Sequence, residues 1–241
     1  MKSVAFAERN LKEIIRDPLT LLFGIGLPVI IMWLFSVMQK NMPFDLYSIE
    51  SLTPGVIVFS FSFITLFSGM LLGKDKSSSF LMRIFASPMS AGDFIVGYTL
   101  PLLPVAIFQI VVCFLSAFVL GLTLNVEILV ALGVLMVIAM LYIGFGILLG
   151  TYFTDKQVGG IFAIFVNLTT WLSGTWFELD MIGGMFKTIA YALPFAHAVD
   201  ATRAVLTGEY GDIVVPLLWV IGYTILIFFI AVMGFKKKMK S

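Results

Sequence analysis

The sequence predicts an all-α integral membrane protein with six transmembrane helices in a single domain. Hydrophobic residues make up 60% of the 241 residues and charged residues only 12%, whereas a soluble domain has roughly 25% charged residues. The mean hydropathy is +1.07. Uncharged apolar runs of about 20 residues recur along the chain, and each is long enough to cross the hydrocarbon core of a bilayer as a helix.

The six predicted spans cover residues 19–38, 53–73, 94–120, 128–150, 158–177 and 213–234. Six crossings place both termini on one side, and that side holds all of the Lys and Arg residues except Lys40, Lys187 and Arg203. Short loops that carry Lys and Arg tend to stay in the cytoplasm. We therefore expect a multi-pass protein of the cell (plasma) membrane, such as a bacterial inner membrane, with both termini cytoplasmic.

Residues 1–17 predict an amphipathic helix that lies in the plane of the lipid headgroups. Its apolar residues fall within about 100° of a helical wheel, with basic residues beside them. The alternative is a simple positively charged anchor for the first span. The apolar residues are Val4, Ala7, Leu11, Ile14 and Ile15.

The longest outer segment, between spans five and six, predicts two short re-entrant helices. Apolar residues recur at helical spacing from Ile182 to Leu193, but this run is too short to cross the membrane and ends at Pro194. A second helix after Pro194 places Asp200 and Arg203 at positions i and i+3, where they can form a structural ion pair.

The residue inventory argues against an enzyme. The chain has one histidine, His197, and one cysteine, Cys113, so a two-histidine zinc site and an intrachain disulfide are impossible. We expect no catalytic residue, no metal and no cofactor bound by this chain, and the net charge of +1 gives no reason to expect nucleic-acid binding. Ser173 with His197 faintly resembles an intramembrane serine protease, but a helix-packing serine is the favoured interpretation.

Ion-coupled transport or a channel is the main alternative class of function. The six predicted spans contain no Asp, Glu, His or Arg, the residues with which ion-coupled carriers usually bind protons or sodium. Backbone carbonyls at broken helices can also hold sodium. Pro28, Pro101 and Pro104 are potential kinks of that kind.

Two segments carry a resemblance to a known family. They are "FLMRIFASPMSAGDFIVGYTL", residues 80–100, with its Ser-Pro step, and "LPFAHAVDATRAVLTGE", residues 193–209. In these segments and in the order of its elements, the chain resembles the type-two membrane subunits of ATP-binding-cassette (ABC) exporters, which include bacterial drug, antibiotic and polysaccharide exporters. Family members often carry an Arg-Glu pair and a glycine where this chain has Lys74-Asp75-Lys76 and three serines.

The resemblance implies a permease subunit without its own ATP site. Two copies of a separate ATPase subunit would hold ATP and Mg, and a second permease copy, giving a homodimer or a pair with a related subunit, would complete the transporter. The cytoplasmic loop helix would be the coupling helix that docks on the ATPase; the alternative is that its apolar side chains dip into lipid. The implied docking residues are Phe80, Leu81, Arg83, Ile84, Phe85, Ser87 and Pro88.

The resemblance also places the substrate path along spans two and five. The implied path residues are Ser62, Thr65, Asn167, Thr170 and Ser173, and the implied external region is marked by Pro194, Asp200 and Arg203. A path lined by aromatic, methionine and hydroxyl side chains without fixed charge predicts an amphipathic, drug-like, antibiotic or lipid-linked substrate moving out of the cytoplasm. Polysaccharide export is the alternative within the family.

Overall fold

A computed structural model describes residues 2–42, 47–78, 80 and 89–238, and within these residues it contains helices and no strands. The helices are α1 (Lys2–Ile15), α2 (Pro18–Leu21), a π-helical turn (Leu22–Gly26), α3 (Leu27–Gln39), α4 (Ile49–Ser77), α5 (Ala91–Thr99), α6 (Leu102–Val119), α7 (Glu127–Tyr152), α8 (Asp155–Leu172), α9 (Leu179–Ile182), α10 (Gly184–Tyr191), α11 (Pro194–Thr207), a 3-10 turn (Tyr210–Ile213) and α12 (Val214–Lys238).

Five segments among the described residues are long and apolar enough to cross a membrane. They are Leu22–Gln39, Ile49–Ser77, Ala91–Val119, Glu127–Tyr152 and Tyr210–Lys238. These correspond to predicted spans one, two, three, four and six, which confirms an all-α membrane protein. The predicted fifth span corresponds to α8, which is absent from this set, so the count of six spans stays a prediction.

Helix α4 forms the centre of the bundle and is the most buried of the five segments. It packs closely on α7, where the hydroxyl of Thr65 donates to the carbonyl of Tyr142 at 2.8 Å and that of Ser68 donates to the carbonyl of Ile143 at 3.2 Å. Small and hydroxyl residues permit this close approach between membrane helices. The seam between α4 and α7 therefore combines close packing with hydrogen bonds.

The end of α4 also caps the C-terminal end of α7. The ammonium group of Lys76 donates to the carbonyl of Phe153 at 2.6 Å and to those of Gly150 and Thr151 at 3.3 Å each. The last carbonyls of a helix lack intrahelical donors and carry partial negative charge, so a lysine is well suited to this position.

Two of the predicted kink positions coincide with irregular backbone. In span one, the π-helical turn comes directly before Pro28. In span three, α5 ends at Thr99 and α6 begins at Leu102, with Pro101 between them. Pro104 lies in the first turn of α6, where a missing amide hydrogen does not interrupt the helix.

The other predicted helices differ from the structure mainly at their ends. Helix α8 ends at Leu172, five residues before the predicted end of span five, and Gly174 follows with a φ of 69°. A glycine in this left-handed region commonly terminates a helix. The two short helices predicted before the last span are present as α10 and α11; their insertion into the membrane stays a prediction.

Helix α1 is present over nearly the predicted range, but its buried face differs from the predicted apolar stripe. Ala7 and Ile14 are buried as expected, whereas Val4 and Ile15 are each 60% exposed. The structure buries Phe6 and Asn10 as well, because α1 packs against α5. The orientation of α1 therefore follows its protein neighbour.

Candidate functional site

A buried carboxylate lies at the end of α4, just before the predicted cytoplasmic loop. Asp75 is only 2% exposed and accepts hydrogen bonds from both terminal nitrogens of Arg9 in α1, at 2.6 and 2.8 Å. The hydroxyl of Tyr98 in α5 donates a third hydrogen bond at 2.9 Å. Bidentate pairing of a guanidinium with a carboxylate is among the strongest polar contacts in proteins. One carboxylate thus joins three separate elements, and we call this place the α1–α4–α5 junction.

A second carboxylate extends the junction along α1. Glu13, one turn after Arg9, lies 2.6 Å from the Arg9 guanidinium and 2.7 Å from the Lys74 ammonium. The two cations and the two carboxylates Glu13 and Asp75 balance each other in charge. The Lys74 side chain is 66% exposed, and exposed ion pairs contribute little to stability. The Arg9–Asp75 pair, whose carboxylate side chain is only 3% exposed, is therefore the stronger contact.

Apolar packing brings α1 against α5 at the same place. The side-chain amide of Asn10 donates to the carbonyl of Gly97 at 3.0 Å, and the Phe6 ring meets the Tyr98 ring edge to face, with 5.0 Å between centroids. A Cβ at Gly97 would lie 2.3 Å from the Phe6 ring. Only glycine permits this approach, so the sequence of α5 is matched to α1.

The junction reaches the first residue of the predicted docking helix. The Arg9 guanidinium lies over the Phe80 ring, 4.3 Å from its centroid, which is a cation–π contact. The Phe6 ring also stacks on the Phe80 ring, with 6.4 Å between their centroids. The other predicted docking residues lie outside the described residues; they are Leu81, Arg83, Ile84, Phe85, Ser87 and Pro88.

The far end of the same loop is fixed by a helix cap. The backbone amide of Asp93 donates to the hydroxyl of Ser90 at 3.2 Å, and the Asp93 carboxylate accepts from the Ser90 amide at 2.9 Å. This reciprocal arrangement satisfies the free amides at the start of α5. Both roots of the loop are therefore anchored to helices that enter the membrane.

The charges of the junction keep Arg9 protonated. Partial burial by itself would lower the pKa of Arg9, but the hydrogen bonds and charge of Asp75, together with the charge of Glu13, raise that pKa above its ordinary value. The guanidinium is therefore a permanent cation and the Arg9–Asp75 contact does not open by loss of a proton from Arg9.

The two predicted path residues on α4 lie inside the single chain. Ser62 and Thr65 are both buried. Thr65 contributes to the seam with α7, whereas the hydroxyl of Ser62 has no hydrogen-bond partner among the described residues. Their assignment to a path stays a prediction, and both side chains are buried within the single chain.

The predicted path residues on α8 lie nearer the surface. Asn167 is exposed and its side-chain amide donates to the carbonyl one turn earlier, at 2.7 Å. Thr170 also bonds to its own helix, at 2.5 Å, and is half-buried. Ser173 is buried beyond the end of the helix and shares a 2.6 Å hydrogen bond with Thr175. The structure therefore separates Asn167 from Ser62, Thr65 and Ser173.

One face of α8 is uncovered and mixes apolar, small and polar side chains. Of its 18 residues only Val158 and Thr169 are buried. The exposed face includes the small residues Gly160 and Ala163 and the amide of Asn167, and a Cβ at Gly160 would meet no atom within 4 Å. Its large apolar side chains are Ile164, Leu168 and Trp171. A polar side chain facing hydrocarbon is unfavourable, so this face is suited to contact with protein or with a polar path.

The region that the sequence predicts to be external contains a second set of polar residues. The Arg203 side chain lies 4.0 Å from the Asp200 carboxylate in the same helix, and it also donates to the carbonyl of Gly174 at 2.9 Å. Burial raises the pKa of Asp200 despite the opposing contacts with Tyr191 and Arg203. Burial, together with the Asp200 charge, raises the pKa of Tyr191. Pro194 is buried at the start of α11 and begins this helix.

A cavity of about 500 Å³ lies beside these residues. It is bounded by the start of α4 and by α9, α10 and α11, and acidic side chains outnumber basic ones on its walls. Its charged residues are Glu50, Glu178, Asp180, Asp200 and Arg203.

The alternative catalytic arrangement is not formed in the described part of the chain. The hydroxyl of Ser173 donates to the carbonyl of Thr170 at 3.1 Å, and the His197 ring bonds to the carbonyl of Tyr191 at 3.0 Å while stacking on Trp219. Each member of the conceivable dyad thus has its own partners. Among the described residues no group of three or more His, Cys, Asp or Glu side chains could hold a metal ion.

The sequence prediction did not include the Arg9–Asp75–Tyr98 contact. Arg9 looks like one of several solvated basic residues on a surface helix, and 66 positions separate it from its partner. One signal was available, because Asp75 follows a long apolar run and precedes the loop. A carboxylate at that depth needs a cation or hydrogen-bond donors around it.

These features define a multi-pass helical membrane protein in which a charged junction holds both roots of a loop at one membrane face. The profile of the ABC-2 type transporter family matches residues 3–207 of the chain. The chain belongs to this family of ABC transporter membrane domains.

A sequence similarity to one curated protein points to the same family. The chain is 27% identical over 203 residues to ABC transporter G family member 20 of Dictyostelium discoideum. The match covers 80% of this chain and 27% of that protein. The chain therefore spans about a quarter of the length of this relative.

Proposed function

We propose that the chain is the membrane-spanning permease subunit of an ATP-driven exporter. A separate ATPase subunit docks on the loop helix at residues 80–88 and supplies the energy, and the substrate is an amphipathic, drug-like, antibiotic or lipid-linked molecule that leaves the cytoplasm. The observation that carries this proposal is the buried Arg9–Asp75–Tyr98 contact, because it connects the root of the docking loop to α1, α4 and α5 at once.

The energy requirement supports a separate ATPase. Converting a carrier from almost entirely inward-facing to almost entirely outward-facing takes about 5.5 kcal/mol of differential stabilisation. The six predicted spans contain no Asp, Glu, His or Arg for ion coupling, and Asp75, just after span two, is engaged by Arg9 and Tyr98. ATP hydrolysis by a docked subunit is a sufficient source, and the junction gives its movement a route into the membrane helices.

The uncovered face of α8 supports a second permease copy. Segments such as Tyr210–Lys238 are also largely exposed in the single chain, but they are apolar enough for lipid. Helix α8 carries the amide of Asn167 on its exposed face, and the small residues Gly160 and Ala163 beside it allow a close approach by another helix. A homodimer with α8 near its centre would cover this face and leave Asn167 beside the substrate path.

The docking proposal is tested by purifying the chain from its native host in mild detergent and measuring the ATPase that accompanies it. The wild-type chain should retain a nucleotide-binding subunit near a 1:1 ratio, with vanadate-sensitive hydrolysis. Phe85→Asp should remove most of that subunit, since a charge on the apolar docking face opposes burial.

The matched control for this experiment is Met185→Asp, which places the same charge on an exposed side chain of α10. This variant should retain the ATPase. Equal retention by both variants would contradict docking through the loop helix. Absence of any ATPase from the wild-type preparation, with transport abolished by an ionophore, would instead support an ion-coupled carrier.

The path proposal is tested separately with Asn167→Leu in the intact transporter. Export should fall by about tenfold while the ATPase stays bound, because the change removes a polar group from the path and not from the junction. Thr224→Val is the control, because the Thr224 hydroxyl donates its hydrogen bond within its own helix, α12. This helix is far from α8 in the sequence. Unchanged export by Asn167→Leu would exclude Asn167 from the path.

A further inference from the structure

Span one is irregular where it begins. Helix α2 passes into the π-helical turn Leu22–Gly26, and α3 follows with Pro28 in its first turn. Proline has no amide hydrogen, so Pro28 cannot donate the usual helical hydrogen bond to the carbonyl four residues earlier. That carbonyl belongs to Gly24. In hydrocarbon such a carbonyl needs a donor from elsewhere in the protein.

The missing donor comes from span three. The side-chain amide of Gln109 in α6 donates to the carbonyl of Gly24 at 2.9 Å and makes a longer contact of 3.4 Å with the carbonyl of Ser60 in α4. Gln109 is completely buried, at 0% exposed. One amide group therefore holds the irregular turn of span one against spans two and three.

The surrounding packing makes this contact specific. Gly24 is buried, and a Cβ at this position would lie 2.4 Å from the ring of Phe67 in α4, so only glycine lets the turn approach closely. The side-chain oxygen of Gln109 has no hydrogen-bond partner among the described residues. A buried acceptor without a partner is unfavourable. The orientation of the Gln109 amide is therefore determined by its nitrogen, which faces the carbonyls of Gly24 and Ser60.

We propose that Gln109 replaces the amide hydrogen that Pro28 lacks, and that the Gly24–Pro28 segment is the hinge of span one. A regular helix would have to break backbone hydrogen bonds in order to bend here. At this turn, span one bends by lengthening only the hydrogen bond from the Gln109 side chain to the Gly24 carbonyl. The neighbouring carbonyl of Ser60 is within reach to accept the hydrogen bond from the Gln109 amide when it moves. Gln109 is thus a positioning residue for the movement of span one.

The hinge also connects to the junction. Span one continues from α1, which carries Arg9 and its partner contact with Asp75. A tilt of span one about Gly24 changes the angle between α3 and α1 while the junction stays closed. This use of the hinge rests on the proposed permease function, whereas the hydrogen bond itself does not.

A double-mutant cycle tests the hydrogen bond in the full chain in lipid nanodiscs. Gln109→Leu removes the donor and should lower the melting temperature by about 4 °C. Pro28→Ala restores a backbone amide to the Gly24 carbonyl, so Gln109→Leu should cost less than half as much in that background. Equal losses in both backgrounds would overturn the assignment. If Gln109→Leu does not fold, Gln109→Met is measured in the same cycle.

Hydrogen–deuterium exchange tests the hinge without any transport assay. The amides of residues 22–27 should exchange at least tenfold faster than those in the middle of α3, and Pro28→Ala should abolish this difference. If the segment is instead rigid, the amides of residues 22–27 should exchange slowly in the wild type and at the same rate in Pro28→Ala. That result would overturn the hinge while leaving the hydrogen bond intact.

The functional consequence is measured as ATPase turnover of the assembled complex. Pro28→Ala should preserve the melting temperature yet lower turnover at least threefold, because span one no longer bends. Unchanged turnover would exclude a role of the hinge in transport. If no ATPase accompanies the wild-type chain, the proposed function fails, and the melting and exchange results still decide on the hinge.

Discussion

The two ends of the molecule use the same three residue types in different ways. At the junction, Arg9, Asp75 and Tyr98 come from three elements, and the arginine contacts the carboxylate through two nitrogens at 2.6 and 2.8 Å. At the end predicted to be external, Arg203 and Asp200 are neighbours in one helix at 4.0 Å, with Tyr191 beside them. The first set connects helices that are up to 66 positions apart in the sequence, whereas the second connects α11 with the preceding α10 and with Gly174, 29 positions from Arg203.

This difference concerns how many helices each set connects. A carboxylate that is 2% exposed and shared by α1, α4 and α5 links three helices through hydrogen bonds. The Asp200–Arg203 pair lies within one helix at 4.0 Å, and its contacts outside that helix are with Tyr191 and with the carbonyl of Gly174. The stability of the protein should therefore respond strongly to changes at the junction and weakly to changes at the external set.

The largest effect should come from Asp75→Ala. This change leaves the Arg9 guanidinium and the Tyr98 hydroxyl without their shared partner, which should lower the free energy of unfolding by about 3 kcal/mol. Thermal unfolding in nanodiscs measures the loss. The control is Glu8→Gln, which breaks the exposed Glu8–Lys12 pair of the same α1 and should change stability by less than about 0.5 kcal/mol. Similar losses in both variants would remove the distinction between buried and exposed pairs.

A smaller effect is expected from Gly97→Ala. The added methyl would lie 2.3 Å from the Phe6 ring, so α1 must move away from α5, at a cost of about 1–3 kcal/mol. Gly92→Ala in the same α5 is the matched control, because a methyl there meets its nearest atom at 3.7 Å. Alanine favours helix over glycine, and the control should be at least as stable as the wild type. A stable Gly97→Ala variant would show that α1 is loosely attached.

The smallest effect, and one of opposite sign, is expected from Asp200→Asn. Burial raises the pKa of Asp200, so the charged carboxylate opposes folding once the pH exceeds the ordinary aspartate pKa of about 4. The variant should match the wild type below about pH 4 and exceed its melting temperature by about 1–2 °C at neutral pH. Melting curves from pH 3.5 to 8 measure this. A variant less stable at neutral pH would mean that the Arg203 contact outweighs burial.

The sequence predicted the parts of the fold that depend on local pattern. Apolar runs located five of the segments that can cross a membrane, the wheel of residues 1–17 predicted α1, and Pro194 marked the start of α11. These features follow from composition and periodicity within about 20 residues. The count of six spans stays a prediction, because α8 is too polar to be among the five segments that can cross a membrane.

The contacts that join helices could not be predicted in the same way. Gln109 lies 85 positions from Gly24, and nothing in the local pattern says which apolar helix will face the turn before Pro28. A combined signal does exist: a proline in one span removes a donor, and an isolated amide in another span can replace it. Such a signal identifies the two types of group but leaves their pairing to the tertiary structure.

The cap that Lys76 places on α7, together with the Thr65 and Ser68 contacts, has a practical consequence for measuring motion. Because α4 and α7 are joined at Thr65, at Ser68 and at Lys76, we expect spin labels near these contacts to keep a constant distance throughout a transport cycle. The pair can serve as the fixed coordinate frame of the molecule. Displacements of a label on α3 or α8 can then be measured against that frame.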